Sequence, residues 1–184
     1  MNDYINGLRA CVEELTAQQE TIQDIATMMR DAYDRGSKVY IMGNGGSATT
    51  ASHFARDLKI GAQGRNKIMV ESLSDNIAVI TSIGNDISYD EIFAEQLKGQ
   101  AVQDDVVIAI SCSGKSPNIT RGVHIAKALG VKTVGILGFG GGTVLGMCSK
   151  AVVFQSTEYM QCEDIHLAVC HILTKLVKRR IRNE

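Results

Sequence analysis

Apolar side chains recur at helical spacing over residues 2 to about 34, and Gly36 follows this stretch. The spacing predicts one long N-terminal helix with an amphipathic face and a glycine stop. A stripe of this length on a small domain needs a surface to cover it, so we expect residues 1–35 to form an oligomerisation helix. The apolar positions of the stripe are Ile5, Leu8, Val12, Leu15, Ile22, Ile25, Met28 and Met29.

Apolar runs typical of strands alternate with helical patterns along the rest of the chain. Strands that are apolar on both faces and separated by helices predict an α/β fold with a doubly wound parallel sheet. No linker or repeat interrupts this order, which predicts a single domain over residues 1–184. Ligands of such sheets bind beyond the carboxyl ends of the strands. The strand candidates are residues 38–43, 67–73, 105–111, 132–138 and 151–156, and the helical patterns cover about 47–59, 76–84, 90–100, 117–129 and 160–181.

The composition is that of a globular protein, with 45% hydrophobic and 21% charged residues among 184. A formal net charge of −1 gives no electrostatic reason to expect nucleic acid or a membrane surface as a partner. No apolar run approaches the roughly 20 residues that span a bilayer, and the opening MNDYINGLRACVEEL lacks the pattern of a secretion signal. We therefore expect a cytoplasmic protein. The five cysteines show no C-x-x-C spacing, which predicts reduced thiols rather than disulfides or a thiolate zinc site.

The stretch MGNGGSATTASHFARD, residues 42–57, leads from a strand through a glycine turn into a helix. Backbone N–H groups and the helix dipole at such a turn attract an anion, so Asn44, Gly45, Gly46 and Ser47 are candidate ligand-binding residues. The third glycine of a dinucleotide motif is replaced by Ala48, and no G-x-x-x-x-G-K-[ST] is present, which disfavours dinucleotide and P-loop functions. Taken alone, the turn also fits a tight bend that needs glycine for close packing.

A second strand ends in Ser-Cys-Ser-Gly-Lys-Ser-Pro-Asn, residues 111–118, before another helix. Three hydroxyls, a glycine and a helix N-terminus can together surround a phosphate through neutral donors, and Lys115 could add a charge. Serines also cap helices whatever the function of the protein. Three serines within six residues after a buried strand favour the phosphate site.

Carboxylates and imidazoles recur on two helical segments. His53 and Asp57 are spaced i and i+4, so both project from one face of a helix. That spacing suits two ligands of one metal ion or an acid/base pair. Near the carboxyl end, Glu163 and His171 lie about 80° apart around a second helix, close enough to converge on one ion but not aligned. A single helical histidine is more often a surface or packing residue.

The segment Gly84-Asn85-Asp86 separates two helical patterns. Its polar side chains could contact sugar hydroxyls. A glycine stop followed by an Asn or Asp cap explains the same residues equally well.

Several motifs occur in one order: G-N-G-G-S-A followed by H-F-A-x-[acid], L-S-D-N, I-G-N-D-x-x-Y-D-E-I-F-A-x-Q, S-x-S-G-x-S-P-N and E-D-I-H-L-x-x-x-H. This order resembles the sugar isomerase (SIS) domain, and more narrowly the bacterial phosphoheptose isomerases, over nearly the whole chain. The resemblance implies a Rossmann-like homotetramer with active sites where subunits meet. It also implies isomerisation of sedoheptulose 7-phosphate to D-glycero-D-manno-heptose 7-phosphate, at the head of nucleotide-activated heptose synthesis.

The resemblance also implies a role for each matching position. Asp57 stands where the family usually has glutamate, Glu163 where it has glutamine, and Cys112 where a threonine is common. Arg65 lies near the position of an expected arginine. The residues implied to bind the phosphate are Ser47, Ser111, Cys112, Ser113 and Ser116, beside the turn residues Gly45 and Gly46. Those implied to contact the sugar are Asn44, Asn76 and Asp86. Those implied to bind one zinc ion per subunit are His53, Asp57, Glu163 and His171.

The mechanism that we expect is proton transfer between C1 and C2 through an enediol, with Asp57 and His171 moving protons. A metal ion would polarise the oxygens of the carbonyl and the hydroxyl. Two other functions are compatible with the same fold. One is a non-catalytic scaffold resembling the DnaA initiator-associating protein, and the other is an isomerase of a different phosphosugar, such as a hexulose phosphate. The presence of all four metal-binding positions favours an enzyme over the scaffold.

Overall fold

The computed structural model describes residues 1–60 and 69–181. Within these residues, five strands form one parallel sheet in the order β2-β1-β3-β4-β5. This arrangement confirms the predicted α/β fold. Residues 67 and 68 of the second predicted strand lie outside the described residues, and the last predicted strand ends three residues earlier than expected. The strands are β1 (Lys38–Gly43), β2 (Met69–Ser72), β3 (Val106–Ser111), β4 (Lys132–Leu137) and β5 (Lys150–Val153).

Eight α-helices occur in the described ranges, and two short 3₁₀ turns accompany them at Tyr89–Glu91 and Phe139–Gly141. None of these helices is long and apolar enough to cross a membrane. The five cysteines, all within the described residues, form no disulfide. The helices are α1 (Asn2–Ala17), α2 (Gln19–Arg35), α3 (Gly46–Lys59), α4 (Ile77–Asp86), α5 (Ala94–Gln100), α6 (Pro117–Ala128), α7 (Gly142–Leu145) and α8 (Tyr159–Ile181).

The N-terminal helical stretch divides into α1 and α2 at Gln18, whose backbone leaves the helical region at φ −103° and ψ 19°. The Gln18 carboxamide donates to the Val153 carbonyl at 2.9 Å and accepts from the Val153 N–H at 2.8 Å. Since β5 is an edge strand, Gln18 pairs with backbone groups that the sheet leaves open. The break therefore turns the chain along the edge of the sheet.

Two apolar layers cover the two faces of the sheet. Along β1, Val39 and Ile41 face the layer of α2, α3 and α8, whereas Tyr40 and Met42 face the layer of α5 and α6. Alternate strand residues point to opposite faces, so every position of a central strand must be apolar when both faces are covered. This requirement explains the continuous apolar runs in the sequence.

Helices α3 and α8 lie side by side in the same direction. Near the start of both helices, the Glu163 carboxylate lies against Gly46, so that a Cβ there would overlap it. Further along, His53 contacts His171. The two contacts are seven residues apart on α3 and eight residues apart on α8. Because these spacings are similar, the two helices pack along one continuous seam. We call it the α3–α8 seam.

Candidate active site

A cavity of about 270 Å³ opens at the carboxyl ends of β1 and β3. These neighbouring strands feed helices on opposite faces of the sheet, which makes this the switch point where α/β sheets bind ligands. We call it the anion cavity. Eight of the residues predicted to bind substrate line it, and they are Asn44, Gly45, Gly46, Ser47, Ser111, Cys112, Ser113 and Ser116.

Helices α3 and α6 begin at this cavity. The first backbone N–H groups of a helix have no intrahelical acceptor, so two helix N-termini supply donors to one space. Gly45 adopts φ 54° and ψ −124°, a conformation that side chains rarely tolerate. A Cβ at Gly46 would overlap the Glu163 carboxylate, the end of a flexible side chain. Gly45 is therefore the glycine that the turn into α3 requires.

The loop after β3 uses its serines in two ways. Ser111 Oγ accepts a hydrogen bond from the Gly114 N–H at 3.0 Å, and Ser113 Oγ accepts one from the Lys115 N–H at 3.2 Å. A hydroxyl that accepts a backbone bond still has its own proton to donate to a ligand. Ser116 occupies the N-cap position of α6 without a capping hydrogen bond from its side chain, so capping alone does not explain this serine.

Asn44 connects the two halves of the cavity. Its side-chain amide donates to Asn118 Oδ1 at 2.8 Å, and the Asn118 amide donates to Asn44 Oδ1 at 2.9 Å. Asn118 is fully buried and also accepts from the Ile119 N–H. The pair joins the end of β1 to the start of α6, which fixes the distance between the N-terminal ends of α3 and α6.

His53, Asp57 and His171 converge on the α3–α8 seam, and we call them the His–Asp cluster. The His53 and His171 Nε2 atoms are 3.2 Å apart, and Asp57 Oδ2 lies 3.1 Å from the first and 3.8 Å from the second. All three ligand atoms fall within 4.8 Å of one another. Two imidazoles and a carboxylate with converging lone pairs fit a divalent transition-metal ion such as zinc, with a coordination position left for substrate.

Asp57 is held in its charged form. Burial favours the neutral acid, but the hydrogen bond from Arg56 at 2.8 Å and the nearby histidines outweigh it and lower the pKa of Asp57 below its usual value. The Asp57 side chain is 16% exposed, whereas those of His53 and His171 are 46% and 51% exposed. The cluster therefore presents one anchored carboxylate between two accessible imidazoles.

The chain matches the model of the SIS domain over residues 3–138. It is 34% identical over 183 residues to the phosphoheptose isomerase of Trichlorobacter lovleyi, and the match covers 97% of this chain and 90% of that protein. The chain belongs to the SIS domain family and, within it, to the phosphoheptose isomerases. The fold matches the phosphoheptose isomerase structures of Francisella tularensis (TM-score 0.89, 27% identity, 97% and 96% of the chains covered) and Neisseria gonorrhoeae (TM-score 0.89, 23% identity, 96% and 95% covered).

In this member of the family, Glu163 lies apart from the His–Asp cluster. Its carboxylate borders the anion cavity beside Gly46. Glu163 precedes His171 by eight residues on α8, which is a rise of about 12 Å along the helix axis. The structure thus brings together three of the four predicted zinc ligands and places the fourth at the other end of the seam.

Two of the predicted sugar-binding residues, Asn76 and Asp86, lie on α4 and do not line the anion cavity. Asn76 caps α4 by accepting from the Val79 N–H at 3.2 Å. Asp86 accepts from Ser82 Oγ at 3.2 Å and from the Asn85 amide at 2.8 Å near the end of the helix. Their contact with sugar remains a prediction. Arg65 lies outside the described residues.

Sequence reasoning missed two residues of this site. Asn118 stands two positions after Ser116 in the loop after β3, so its place next to the start of α6 was a usable signal. Tyr159, the first residue of α8, also lines the anion cavity. Nothing in the local pattern distinguishes it, because its place follows from the packing of α8 across the ends of the strands.

Proposed function

We propose that this phosphoheptose isomerase converts sedoheptulose 7-phosphate to D-glycero-D-manno-heptose 7-phosphate through an enediol. The observation that carries the proposal is the pairing of an anion cavity with a His–Asp cluster on the same helix. Serine hydroxyls and helix N-termini suit a phosphate group, whereas imidazoles and a carboxylate suit proton transfer next to a carbonyl. A cavity that bound only an inorganic anion would not need the imidazoles and the carboxylate of the His–Asp cluster.

The spacing of the two parts supports a long substrate. Ser47 at the cavity and His53 in the His–Asp cluster are six residues apart on α3, which is a rise of about 9 Å. An extended seven-carbon chain with its phosphate in the cavity directs C1 and C2 toward the His–Asp cluster. A shorter sugar phosphate would place its carbonyl nearer the cavity, so the spacing favours a heptose over a hexulose phosphate.

In the proposed mechanism, the phosphate is held by Ser47, Ser111, Ser113 and Ser116 together with the backbone. One zinc ion held by His53, Asp57 and His171 would polarise the oxygens of the carbonyl and the hydroxyl and lower the cost of the enediolate. Asp57, charged at neutral pH, takes the proton from the sugar carbon through the carboxylate oxygen that a metal ion would leave free. His171, on the opposite helix of the seam, exchanges a proton with the sugar oxygens only while its Nε2 is not bound to the ion.

Self-association is part of the proposal. Helix α4 buries none of its residues, and Ile77 and Ile87 at its ends are 72% and 59% exposed. On α1, the side chains of Ile5 and Val12 are also exposed. Apolar faces of this kind are typical of interfaces. We propose a cytoplasmic homotetramer in which α4 brings Asn76 and Asp86 toward the sugar site of a neighbouring subunit.

The experiment for the reaction uses sedoheptulose 7-phosphate in D2O, with the product followed by NMR. An enediol route passes the migrating proton through a protein group that exchanges with solvent, so we expect deuterium on the carbon that becomes C2 of the aldose. Product without deuterium would overturn the enediol mechanism. A higher kcat/KM for fructose 6-phosphate than for sedoheptulose 7-phosphate would overturn the proposed identity of the substrate.

The experiment for the assembly is light scattering coupled to size exclusion. A mass of four chains of 19.9 kDa each is expected. Ile77→Asp together with Ile87→Asp should lower the mass, whereas Ile60→Asp, an exposed isoleucine at the end of α3, is the matched control. A monomeric wild type that is fully active would contradict an active site shared between subunits.

A further inference from the structure

Tyr159 is a lining residue of the anion cavity. It is the first residue of α8, and it shares the lining of the cavity with Ser111, Ser113 and Ser116. The Cys112 thiol donates to the Tyr159 carbonyl at 3.9 Å. This weak contact joins the start of α8 to the loop after β3, which carries Ser113 and Ser116.

The ring of Tyr159 is held by Phe139. The two rings meet edge to face, with centroids 4.8 Å apart and an interplanar angle of 64°, a favourable aromatic geometry. Phe139 itself has φ 50°, an unusual conformation for a residue with a side chain. Its N–H donates to the Ser156 carbonyl, and the next N–H, of Gly140, donates to the Phe154 carbonyl. Strained backbone of this kind persists where the surroundings hold it, and it is concentrated at functional sites.

The hydroxyl of Tyr159 is available to a ligand. It has no hydrogen-bond partner among residues 1–60 and 69–181, and the residue is 58% exposed. Tyr89, by contrast, donates its hydroxyl to Asn44 within the protein. One turn further along α8, the Glu163 carboxylate brings a negative charge to the same cavity. A neutral donor beside that carboxylate offsets part of its repulsion of a phosphate group.

We propose that Tyr159 is a phosphate-binding residue, whose hydroxyl donates to a phosphate oxygen of the bound sugar. This inference rests on the proposed function for the identity of the sugar, but the contact with phosphate does not depend on it. Phe139 acts as a positioning residue, because it fixes the ring without reaching the ligand.

The test compares Tyr159→Phe with the wild type by two readouts, the KM for sedoheptulose 7-phosphate and the inhibition constant of inorganic phosphate. Loss of one hydrogen bond to a charged acceptor should raise both by about tenfold, with kcat within about twofold of the wild type. Tyr33→Phe is the matched control, because Tyr33 lies near the end of α2, next to the amino ends of the strands. Both constants should be unchanged in that variant.

Phe139→Leu should raise the same two constants by a smaller factor, since the ring of Tyr159 loses its support while its hydroxyl remains. Unchanged constants in Tyr159→Phe would overturn the proposal. A raised KM with an unchanged inhibition constant would also overturn it, because the hydroxyl would then contact the sugar and not the phosphate. If the wild type turned over no heptulose phosphate, the proposed function would fail, and calorimetry of inorganic phosphate on the same variants would still decide the role of Tyr159.

Discussion

The anion cavity and the His–Asp cluster both border α3 and α8 but are built in different ways. The cavity consists of backbone donors and serines that the chain itself orders, through the Asn44–Asn118 amide pair and the bonds to Ser111 and Ser113. The cluster consists of side chains on a partly exposed seam, and only Asp57 is well shielded. The donors of the anion cavity are thus preorganised within one chain, whereas the histidines of the His–Asp cluster are open to solvent.

The largest expected effect comes from substitutions that remove proton transfer by the His–Asp cluster and leave the anion cavity unchanged. Asp57→Ala and His171→Ala should each lower kcat by about 10²-fold to 10⁴-fold, the usual effect of losing a proton-transferring group. Inorganic phosphate should bind both variants as it binds the wild type. Steady-state kinetics and calorimetry measure the two quantities.

His124→Ala is the control for these variants, because His124 is an exposed histidine on α6 outside the cluster. It should keep full activity. Turnover that survives in Asp57→Ala or in His171→Ala would show that the replaced residue is not part of the catalytic machinery.

A second substitution should disrupt the anion cavity and leave the His–Asp cluster unchanged. Gly114 has φ 59°, and a Cβ there would overlap the Gly141 carbonyl. Gly114→Ala should therefore displace the phosphate loop, weaken phosphate binding by at least about tenfold and lower the free energy of unfolding by about 1–3 kcal/mol. Urea unfolding and phosphate calorimetry check this pair of effects.

Gly99→Ala in α5 provides the control, since nothing lies within 4 Å of the added Cβ. It should leave phosphate binding unchanged and not lower stability. Equal phosphate affinities for Gly114→Ala and Gly99→Ala would contradict the preorganised cavity.

The last expected effect leaves both the anion cavity and the His–Asp cluster intact and concerns the stability of α8, which carries both His171 and the buried His166. Burial lowers the pKa of His166 to about 4, and the nearby Leu137 carbonyl offsets this only in part. Neither ring nitrogen makes a satisfactory hydrogen bond in the described part of the chain. The unfolded chain, with the pKa near 6.5, binds this proton more readily. Stability therefore falls as the pH drops from 6.5 toward 4, by about 2 kcal/mol between pH 7 and pH 5.

His166→Leu should remove that part of the pH dependence of the free energy of unfolding, and it leaves the His–Asp cluster unchanged. Urea unfolding of the two proteins at pH 7 and pH 5 measures it. An identical loss of stability in both proteins would show that His166 does not carry the effect.

Local patterns were enough to predict the sheet and the anion cavity. The apolar runs of β1 and β3 require covered faces. Gly45 lies two residues after the end of β1, and Ser111 is the last residue of β3. The division of the N-terminal helices was not predictable, because Gln18 carries no turn signal. Its partner Val153 lies 135 residues away in the chain.

The candidate site shows the same limit. His53 and Asp57 share one helix face, so the i, i+4 spacing was sufficient to pair them. The angle between Glu163 and His171 around the helix suggested that they converge, but the rise along α8 separates them. Only the packing of α8 against α3 shows which end of the α3–α8 seam each residue occupies. The place of Tyr159 depends on the same packing.

The most direct test of the central claim is turnover of sedoheptulose 7-phosphate by chelated protein as zinc is titrated back, with the product identified by NMR. We expect an aldoheptose 7-phosphate that is formed only with metal, and activity that reaches a plateau at one zinc ion per chain. No product at any zinc concentration, from protein that still binds inorganic phosphate, would contradict it and would favour a phosphosugar-binding scaffold.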